Sequence, residues 1–399
     1  MNVLHITPYM HPSAGGPPVV VEQLCLGQAR LGWGPRDMTT AQLWCDDGRE
    51  LQRALRTHID VTVLPVDRPR LLGSSSRAEA AIGAGVRDAD IVHLHTLWHP
   101  LNGIARQAAK AHGKPYVLMP HGMLDPYSLG VRAFRKRAYL ALVENHTLRH
   151  ATRVLFTTEL EETLARRMLP WLGPATILPL GAQTPPAGTM IDALQQFLNA
   201  YPQTRGRRCL LFLARLHPRK GLERILDILP EVIRAVPGAM LVAAGAGEAE
   251  YVAKLKARTA ELRLTDDVLF TGQVQGALKW GAFASAEAFL LPSHQENFAI
   301  AVAEAMHLSI PVIISDKVNI WPTIEAAKAG FVVPEAGMAA GLLAAMLDVL
   351  SRPEAARQMG RNGRAAAQAH FTWAAAARAS IACYEAVLAE RQSLEGAVA

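Results

Sequence analysis

Glu296 and Glu304 close the two ends of an apolar run in the stretch SHQENFAIAVAEAMH, where Asn297 is the only polar residue between them. Read as a helix entered at Asn297, the run puts Glu296 at the N-terminus, where a carboxylate complements the macrodipole, and Glu304 about two turns further on. Either acid alone is explained by the dipole or by exposure to water. The pair, too far apart to act at one point, suits two separate parts of one long ligand. The stretch LARLHPRKGLERIL adds cations, with Arg215 just after an apolar run and Arg219 and Lys220 at the expected entry of a helix. Positive charge there opposes the macrodipole by a few tenths to about 1 kcal/mol. A bound anion offsets that cost, so Arg215 and Lys220 are read as grips for a phosphate pair. Gly15 and Gly16, in PYMHPSAGGPPVVVEQL, lie between a strand and a helix, where bare backbone and free N–H groups can approach a phosphate. His121 and Gly122, in LMPHGMLDPYS, also follow a strand directly; by itself, a hydrogen-bonded structural histidine explains the first of them.

Other patterns lead away from chemistry. AGAGEAE, residues 244–250, follows a strand and opens a helix, but Glu250 takes the place of the third glycine of a dinucleotide fingerprint, which argues against an NAD-linked dehydrogenase. His93 and His95 share one strand face, yet no further cysteine, histidine or carboxylate spacing completes a metal site. Asp88 and Asp90 precede their strand, the wrong end for a ligand, so no metal and no other cofactor is expected. Cys25, Cys45, Cys209 and Cys383 are far apart without a CxxC pair, which reads as reduced cytosolic thiols. The formal charge of +6 resides in the first half: residues 1–180 hold 20 Lys/Arg against 15 Asp/Glu, the remainder 21 against 20. Charge this diffuse suits phosphorylated small molecules or an anionic membrane surface and argues against nucleic acid, since no RNP, zinc-finger or aromatic-interleaved basic pattern accompanies it. MNVLHITPYMHP lacks a basic n-region and a long apolar h-region, and no uncharged run is long enough to span a bilayer. The chain is therefore expected to be cytoplasmic, soluble or peripheral. RAFRKRAYLAL places Arg132, Arg135, Lys136 and Arg137 beside an apolar helical stretch, as contact with an anionic membrane requires.

The scaffold follows from alternation. Short β-rich runs NVLHIT, VTVLPV, DIVHLHT, PYVLMP, RVLFTT and TILPL alternate with helical patterns in the first half, and RCLLFLAR, AMLVAAGAG, DVLFTG, AFLLPS, PVIIS and GFVVP do so in the second. Such alternation signals parallel sheets with helices on both faces, hence an α/β chain of two doubly wound, Rossmann-like domains. Ligands gather at the carboxyl ends of such strands, where the residues above fall. The stretch from about Leu180 to Arg207, Pro- and Gly-rich at its start and with the helical run IDALQQFLNAYP inside it, reads as a linker zone, with domains at 1–185 and 186–370. In the last segment, 371–399, Trp373, Ala377, Ile381, Tyr384 and Leu388 recur at spacings of three or four, one apolar helical face that must cover another surface.

Taken in order, the glycine pair after the first strand, His121 in PHGMLDP, Arg and Lys five apart in ARLHPRKGL, and Glu-x7-Glu in ENFAIAVAE resemble the retaining glycosyltransferases of family 4, whose two-Rossmann architecture is called GT-B. The resemblance covers essentially the whole chain, including the last helix, which in such proteins crosses back onto the N-terminal domain. It implies transfer of a sugar from a UDP- or GDP-linked donor to a glycan or lipid-linked glycan, with retention at the anomeric carbon and without a metal, in bacterial polysaccharide, lipopolysaccharide or glycolipid synthesis. Carried over residue by residue, it puts Glu304 on the ribose, Glu296 on the transferred sugar and Arg215 with Lys220 on the diphosphate. Gly15 and Gly16 would meet the donor phosphates, His121 would lie beside the sugar ring, and Asn297, Phe298 and Ala299 would add backbone donors. Tyr9, His11, His93 and Trp98 would line an acceptor site in the N-terminal domain. Two alternatives share the phosphate grip: a GT-B nucleotide-sugar epimerase, and a non-catalytic nucleotide-sugar binder. The sequence departs from the family pattern at Ala299 and Ser309, where such proteins commonly have glycine; the methyl group at 299 is expected to alter donor choice or weaken binding, and Ser309 to change only a helix end.

Overall fold

The computed structural model describes residues 1–8, 10, 15–40, 60–64, 76–131 and 133–398. The chain divides into two compact units, Met1–Leu180 with Trp373–Ala399, and Gly181–Thr372. The first unit contains strands β1 Asn2–Thr7, β2 Gly34–Thr40, β3 Asp60–Leu64, β4 Ile91–His95, β5 Tyr116–Met119, β6 Arg153–Phe156 and β7 Ala175–Ile177. They form one parallel sheet in the order β3-β2-β1-β4-β5-β6-β7. Val3, Leu4, Ile6, Ile91, Val92 and Leu94 are fully enclosed, as a parallel sheet covered on both faces requires. The strands coincide with the β-rich runs of the sequence except β2, whose residues GPRDMTT include a proline and two charges and show no apolar alternation. It forms because β1 pairs with it from Asn2↔Gly34 to Thr7↔Thr39 and β3 from Arg36↔Asp60 to Thr40↔Leu64. Pairing on both sides outweighs weak propensity.

The last helix, Trp373–Val398, packs on the first, Gly16–Arg30. Gly27 permits the approach: a Cβ there would stand 2.6 Å from that of Ala377. Ala377 and Tyr384 are fully enclosed and Ile381 is buried. The apolar face of this segment thus covers the first unit, which the chain leaves at Leu180 and rejoins at Trp373.

The second unit holds β8 Arg208–Leu213, β9 Ala239–Ala244, β10 Val268–Gly272, β11 Ala286–Leu291, β12 Val312–Ser315 and β13 Gly330–Val333, parallel in the order β10-β9-β8-β11-β12-β13. In each sheet the order reverses beside the first strand, between β1 and β4 and between β8 and β11. Loops leaving two strands at such a reversal diverge to opposite faces and open a crevice at the carboxyl ends. The stretch expected as a linker contains the helix Met190–Ala200, which packs on the helix Gly276–Ala284 within the second unit. Gly281 brings them together, since a Cβ there would lie 2.2 Å from the carbonyl oxygen of Ala193.

Candidate active site

The two loops that open the crevice of the second unit carry its charged candidates. Leaving β8, the chain reaches Arg215, turns through the 3-10 segment Pro218–Lys220 and enters the helix Leu222–Ala235. Leaving β11, it runs from Pro292 to Ala299 and enters the helix Ile300–His307. Gly221, at φ 72°, lets the loops touch: a Cβ there would stand 2.3 Å from the Pro292 carbonyl oxygen. The His294 N–H donates to the Arg219 carbonyl at 2.8 Å. Held in this way, Lys220 contacts the Glu296 carboxylate, and Arg219 donates to the side-chain oxygen of Gln295 at 3.3 Å. Burial pushes the Lys220 ammonium down to about 7, with repulsion from Arg219 and Arg215 adding to it. Burial likewise lowers Arg215, aided by Arg219 and opposed by Glu248. Crowded, partly desolvated cations favour an incoming anion. Glu248 follows the AGAG turn, where Gly247 bridges to Leu216 and a Cβ on Gly245 would stand 1.9 Å from the Ala214 carbonyl oxygen. Those glycines brace the Arg215 loop.

Two details differ from the sequence expectation. The helix expected from Asn297 begins at Ile300, and Glu296 lies in an extended segment whose N–H donates to Lys317 at 2.9 Å and whose carbonyl accepts from Asn319 at 3.0 Å. Lys220, not the macrodipole, holds Glu296. Arg219 and Lys220 in turn precede the helix at Leu222, and what disfavours charge on Lys220 is first of all burial. Asn297 keeps a buried side-chain oxygen without a partner among the described residues, while Phe298 turns its ring onto Phe371, centroids 5.2 Å apart, and leaves only backbone for a ligand. Glu304 is 2% exposed and accepts from Lys279 at 2.6 Å; burial raises its pKa and Lys279 opposes the rise.

In the first unit, Gly15 caps the first helix at φ 92° and ψ −133°, a conformation that requires glycine, and Gly16 begins that helix. Tyr9 and His11 lie outside the described residues. Beside the crevice, His5 on β1 pairs across the sheet with His93 on β4. His95 Nε2 meets His5 Nδ1 at 2.9 Å, and His95 Nδ1 meets His121 Nε2 at 3.1 Å. His93, expected to line an acceptor site, is instead fully enclosed, with Nδ1 2.7 Å from the Tyr384 hydroxyl. One ring nitrogen from each of His5, His93 and His95 lies within 4.8 Å of those of the other two, and, among the described residues, hydrogen bonds occupy every ring nitrogen of the three except His93 Nε2. Burial pushes His5 down to about 4 and His121 to about 3, and holds His93 and His95 well below the ordinary range, so all four are neutral near pH 7. His121 has φ 51°, and the N–H of Gly122 donates to Glu161 at 2.7 Å. Trp98, at φ 66°, donates its N–H to Glu144 at 2.8 Å, and its ring lies 5.7 Å from Lys136 Nζ and beside Tyr139. Glu144 ends the π-helical turn Leu140–Glu144, and burial pushes its carboxyl up to about 7. Positive φ at a non-glycine residue and a π-turn both concentrate at functional sites.

Residues 196–366 match the family described as glycosyl transferases group 1, and residues 15–181 match the glycosyl transferase 4-like domain. The chain belongs to glycosyltransferase family 4. This family-4 chain is 32% identical over 206 residues to phosphatidyl-myo-inositol mannosyltransferase of Mycobacterium leprae, a match over 51% of its own length and 53% of that protein's; it thus spans about half the length of that relative. With the GDP-mannose-dependent alpha-mannosyltransferase of Mycolicibacterium smegmatis it shares 28% identity over 365 residues, 90% of this chain and 88% of the other. Sucrose-phosphate synthase of Thermosynechococcus elongatus superposes with a TM-score of 0.75 at 23% identity, covering 98% of this chain and 99% of that one, a likeness that shows the GT-B fold.

Both departures of this family-4 chain from the glycine pattern have a backbone consequence. Ala299 and Ser309 adopt φ 59° and 60°, the left-handed region that costs a side-chain-bearing residue roughly 1–2 kcal/mol. Ala299 is the N-cap of the helix Ile300–His307, and the Ser309 carbonyl faces Gly360, where a Cβ would stand 1.9 Å from it. Ala299→Gly is expected to raise the stability of the second unit by about 1 kcal/mol in denaturant titration. No gain would mean that packing of the alanine methyl outweighs the strain. Sequence reading missed Lys279, Glu248, His5, Gln28, Glu144 and Glu161. Only Lys279 had a signal, as the sole charge in GALKWGAFA.

Proposed function

We propose that the protein transfers a sugar from a nucleoside-diphosphate sugar, UDP- or GDP-linked, to a hydroxyl of a glycan or lipid-linked glycan, with retention at the anomeric carbon. Arg215, Arg219 and Lys220 carry this reading, gathered with Glu296 where the sheet order of the second unit reverses. A phosphate pair with a hydroxyl-rich group beside it matches that arrangement. Arg215 and Lys220 neutralise the diphosphate, Glu304 takes the ribose hydroxyls and Glu296 those of the transferred sugar. Backbone from Asn297 through Phe298 and Ala299 to the helix start faces sugar and phosphate; Gly15, Gly16 and His121 are assigned to the donor by the family resemblance alone. The bond from the anomeric carbon to the phosphate oxygen breaks, the acceptor oxygen bonds to that carbon on the same face, and its proton passes to the departing phosphate. Side-chain cations take up the leaving charge, so no metal or other cofactor enters this scheme. The relatives named for GDP-mannose and phosphatidyl-myo-inositol make GDP-mannose the first donor to try and a lipid-borne acceptor on the cytoplasmic side the first setting. A thermal-shift screen of UDP- and GDP-sugars followed by a transfer assay tests the proposal. Stabilisation with transfer supports it; stabilisation with epimerised donor, or with no turnover, replaces it.

The two glutamates should separate kinetically. Ribose contacts change little between ground and transition state, so Glu304→Gln is expected mainly to raise the donor KM. Positive charge grows on the sugar as phosphate departs, so Glu296→Gln should depress kcat more than donor affinity. A kcat loss confined to the Glu304 variant, or a glycosyl adduct on Glu296 in mass spectrometry, reverses the assignment.

An anionic membrane surface is the second proposed partner. No helix among the described residues is long and apolar enough to cross a membrane. Phe134, Leu142, Val131 and Tyr127 are nevertheless 86%, 77%, 49% and 39% exposed along one stretch, with Arg135 and Arg137 exposed among them. Lys136 turns away, onto the Ser128 carbonyl, and Arg132 lies outside the described residues. Apolar side chains interleaved with cations suit an interfacial helix. Sedimentation with liposomes should show binding to anionic vesicles that Phe134→Ser weakens; equal partition into neutral and anionic vesicles removes the electrostatic part.

A further inference from the structure

Gln28 on the first helix meets Ser380 and Tyr384 on the last, and through His5 it meets the histidine chain of the first unit. The donor and acceptor capacities of these groups decide where each proton sits. Ser380 donates its one hydroxyl proton to the Ala377 carbonyl at 2.8 Å, so toward Gln28, 2.9 Å away, it can only accept. The Gln28 atom facing it is therefore nitrogen, an orientation assigned from hydrogen bonding. That nitrogen also donates to the Tyr384 hydroxyl at 3.2 Å, and the amide oxygen faces His5 Nε2 at 2.9 Å. His5 must then carry its proton on Nε2. Being neutral, it offers Nδ1 as acceptor to His95 Nε2, and His95 likewise offers Nδ1 to His121 Nε2. Gln28, His5 and His95 are fully enclosed, so water does not reset the sequence.

We propose that Gln28 is a positioning residue for His121: acting through His5 and His95, it fixes the Nε2–H tautomer, so that His121 presents Nδ1 as a hydrogen-bond acceptor to a substrate hydroxyl. The kinetic consequence rests on the proposed glycosyl transfer, in which His121 faces the donor sugar; the tautomer does not.

Gln28→Glu tests the direction of the relay. A carboxylate favours imidazolium at His5, which donates from both nitrogens. His95 then accepts at Nε2, carries its proton on Nδ1 and donates to His121 Nε2, reversing both histidine–histidine bonds. Long-range proton–nitrogen NMR spectra of histidine-labelled protein read the outcome. Wild-type His121 is expected protonated on Nε2 and the Glu variant on Nδ1, with the donor KM raised about tenfold and kcat less affected. Tyr384→Phe should leave His121 unchanged, because Ser380 still orients Gln28, while altering His93. If the buried carboxylate prevents folding, Gln28→Leu removes the acceptor without adding charge and should leave His121 as a mixture of tautomers. A wild-type Nδ1–H form, or an unaltered His121 in both folded Gln28 variants, overturns the proposal. A reversal with unchanged kinetics leaves the relay in place and rejects the assignment of His121 to the sugar.

Discussion

Lys220→Ala is expected to lower turnover by about a hundredfold or more, whereas EDTA should leave wild-type turnover intact. In the protein without substrate, the Lys220 ammonium is buried near Arg215 and Arg219, and Glu296 is the carboxylate in contact with it. A leaving diphosphate gains negative charge as its bond to the sugar breaks, and in a desolvated site that gain is felt far more strongly than in water. The variant loses this and also releases Glu296 from its contact. Arginine should not rescue, because the turn through Pro218–Lys220 and Gly221 places a compact ammonium against Glu296 where a planar fork does not fit the same geometry. Since the free ammonium titrates at about 7 and a bound diphosphate raises it, donor binding takes up a proton above neutrality. Wild-type affinity should therefore weaken as pH rises above 7, a dependence that Lys220→Ala loses. Steady-state kinetics across pH decides: turnover within tenfold of wild type, or activity abolished by EDTA and restored by Mn²⁺, moves the charge neutralisation elsewhere.

Mild acid is expected to open the first unit before the second. His5, His93, His95, His99 and His121 all have folded pKa values depressed by burial. A depressed group contributes stability that is present above its unfolded value of about 6.5 and is lost as pH falls toward the folded value. Glu144 acts in the opposite sense: raised to about 7, it holds an extra proton in the folded state between the ordinary carboxyl range and neutrality, which favours lower pH. Burial raises Glu22 as well, so five histidines stand against two carboxyls, and lowering the pH from 6.5 to 5 should remove several kcal/mol, a large part of the whole stability of a domain. Hydrogen exchange followed by mass spectrometry reads each unit separately. Glu144→Gln should steepen the loss in the first unit; opening of the second unit first, or a first unit indifferent to pH down to 4.5, contradicts this account.

The residues that bear charge in the second unit were legible in the sequence because they stand directly after strands whose apolar runs are unmistakable, as Arg215 follows RCLLFL and Glu296 follows AFLL. Their partners were not, since Lys220 and Glu296 meet across 76 positions and nothing local encodes that pairing. The start of the helix at Ile300 was misplaced for a specific reason: the left-handed residue that precedes it is Ala299, and the glycine that normally advertises such a turn is missing. Strand β2 escaped notice because its pairing, not its composition, makes it a strand. The histidine chain was half visible, as His93 and His95 on one face, but Tyr384 reaches His93 across 291 positions and Gln28 across 356, and each is unremarkable in its own helix.

The return of the last helix to the first unit reverses the order of maturation during synthesis. The second unit, Gly181–Thr372, has all its residues once Thr372 has left the ribosome. The first unit, begun earlier, still lacks Ala377, Ser380 and Tyr384, so the first helix waits with the Gly27 face uncovered and the Gln28 amide without its partners. At about 5–20 residues per second, the roughly 200 residues between Leu180 and Ser380 take on the order of 10–40 s to make. For that interval the portion made first is the portion that needs shelter, and a nascent chain stalled anywhere in the second unit exposes an apolar helix at its opposite end.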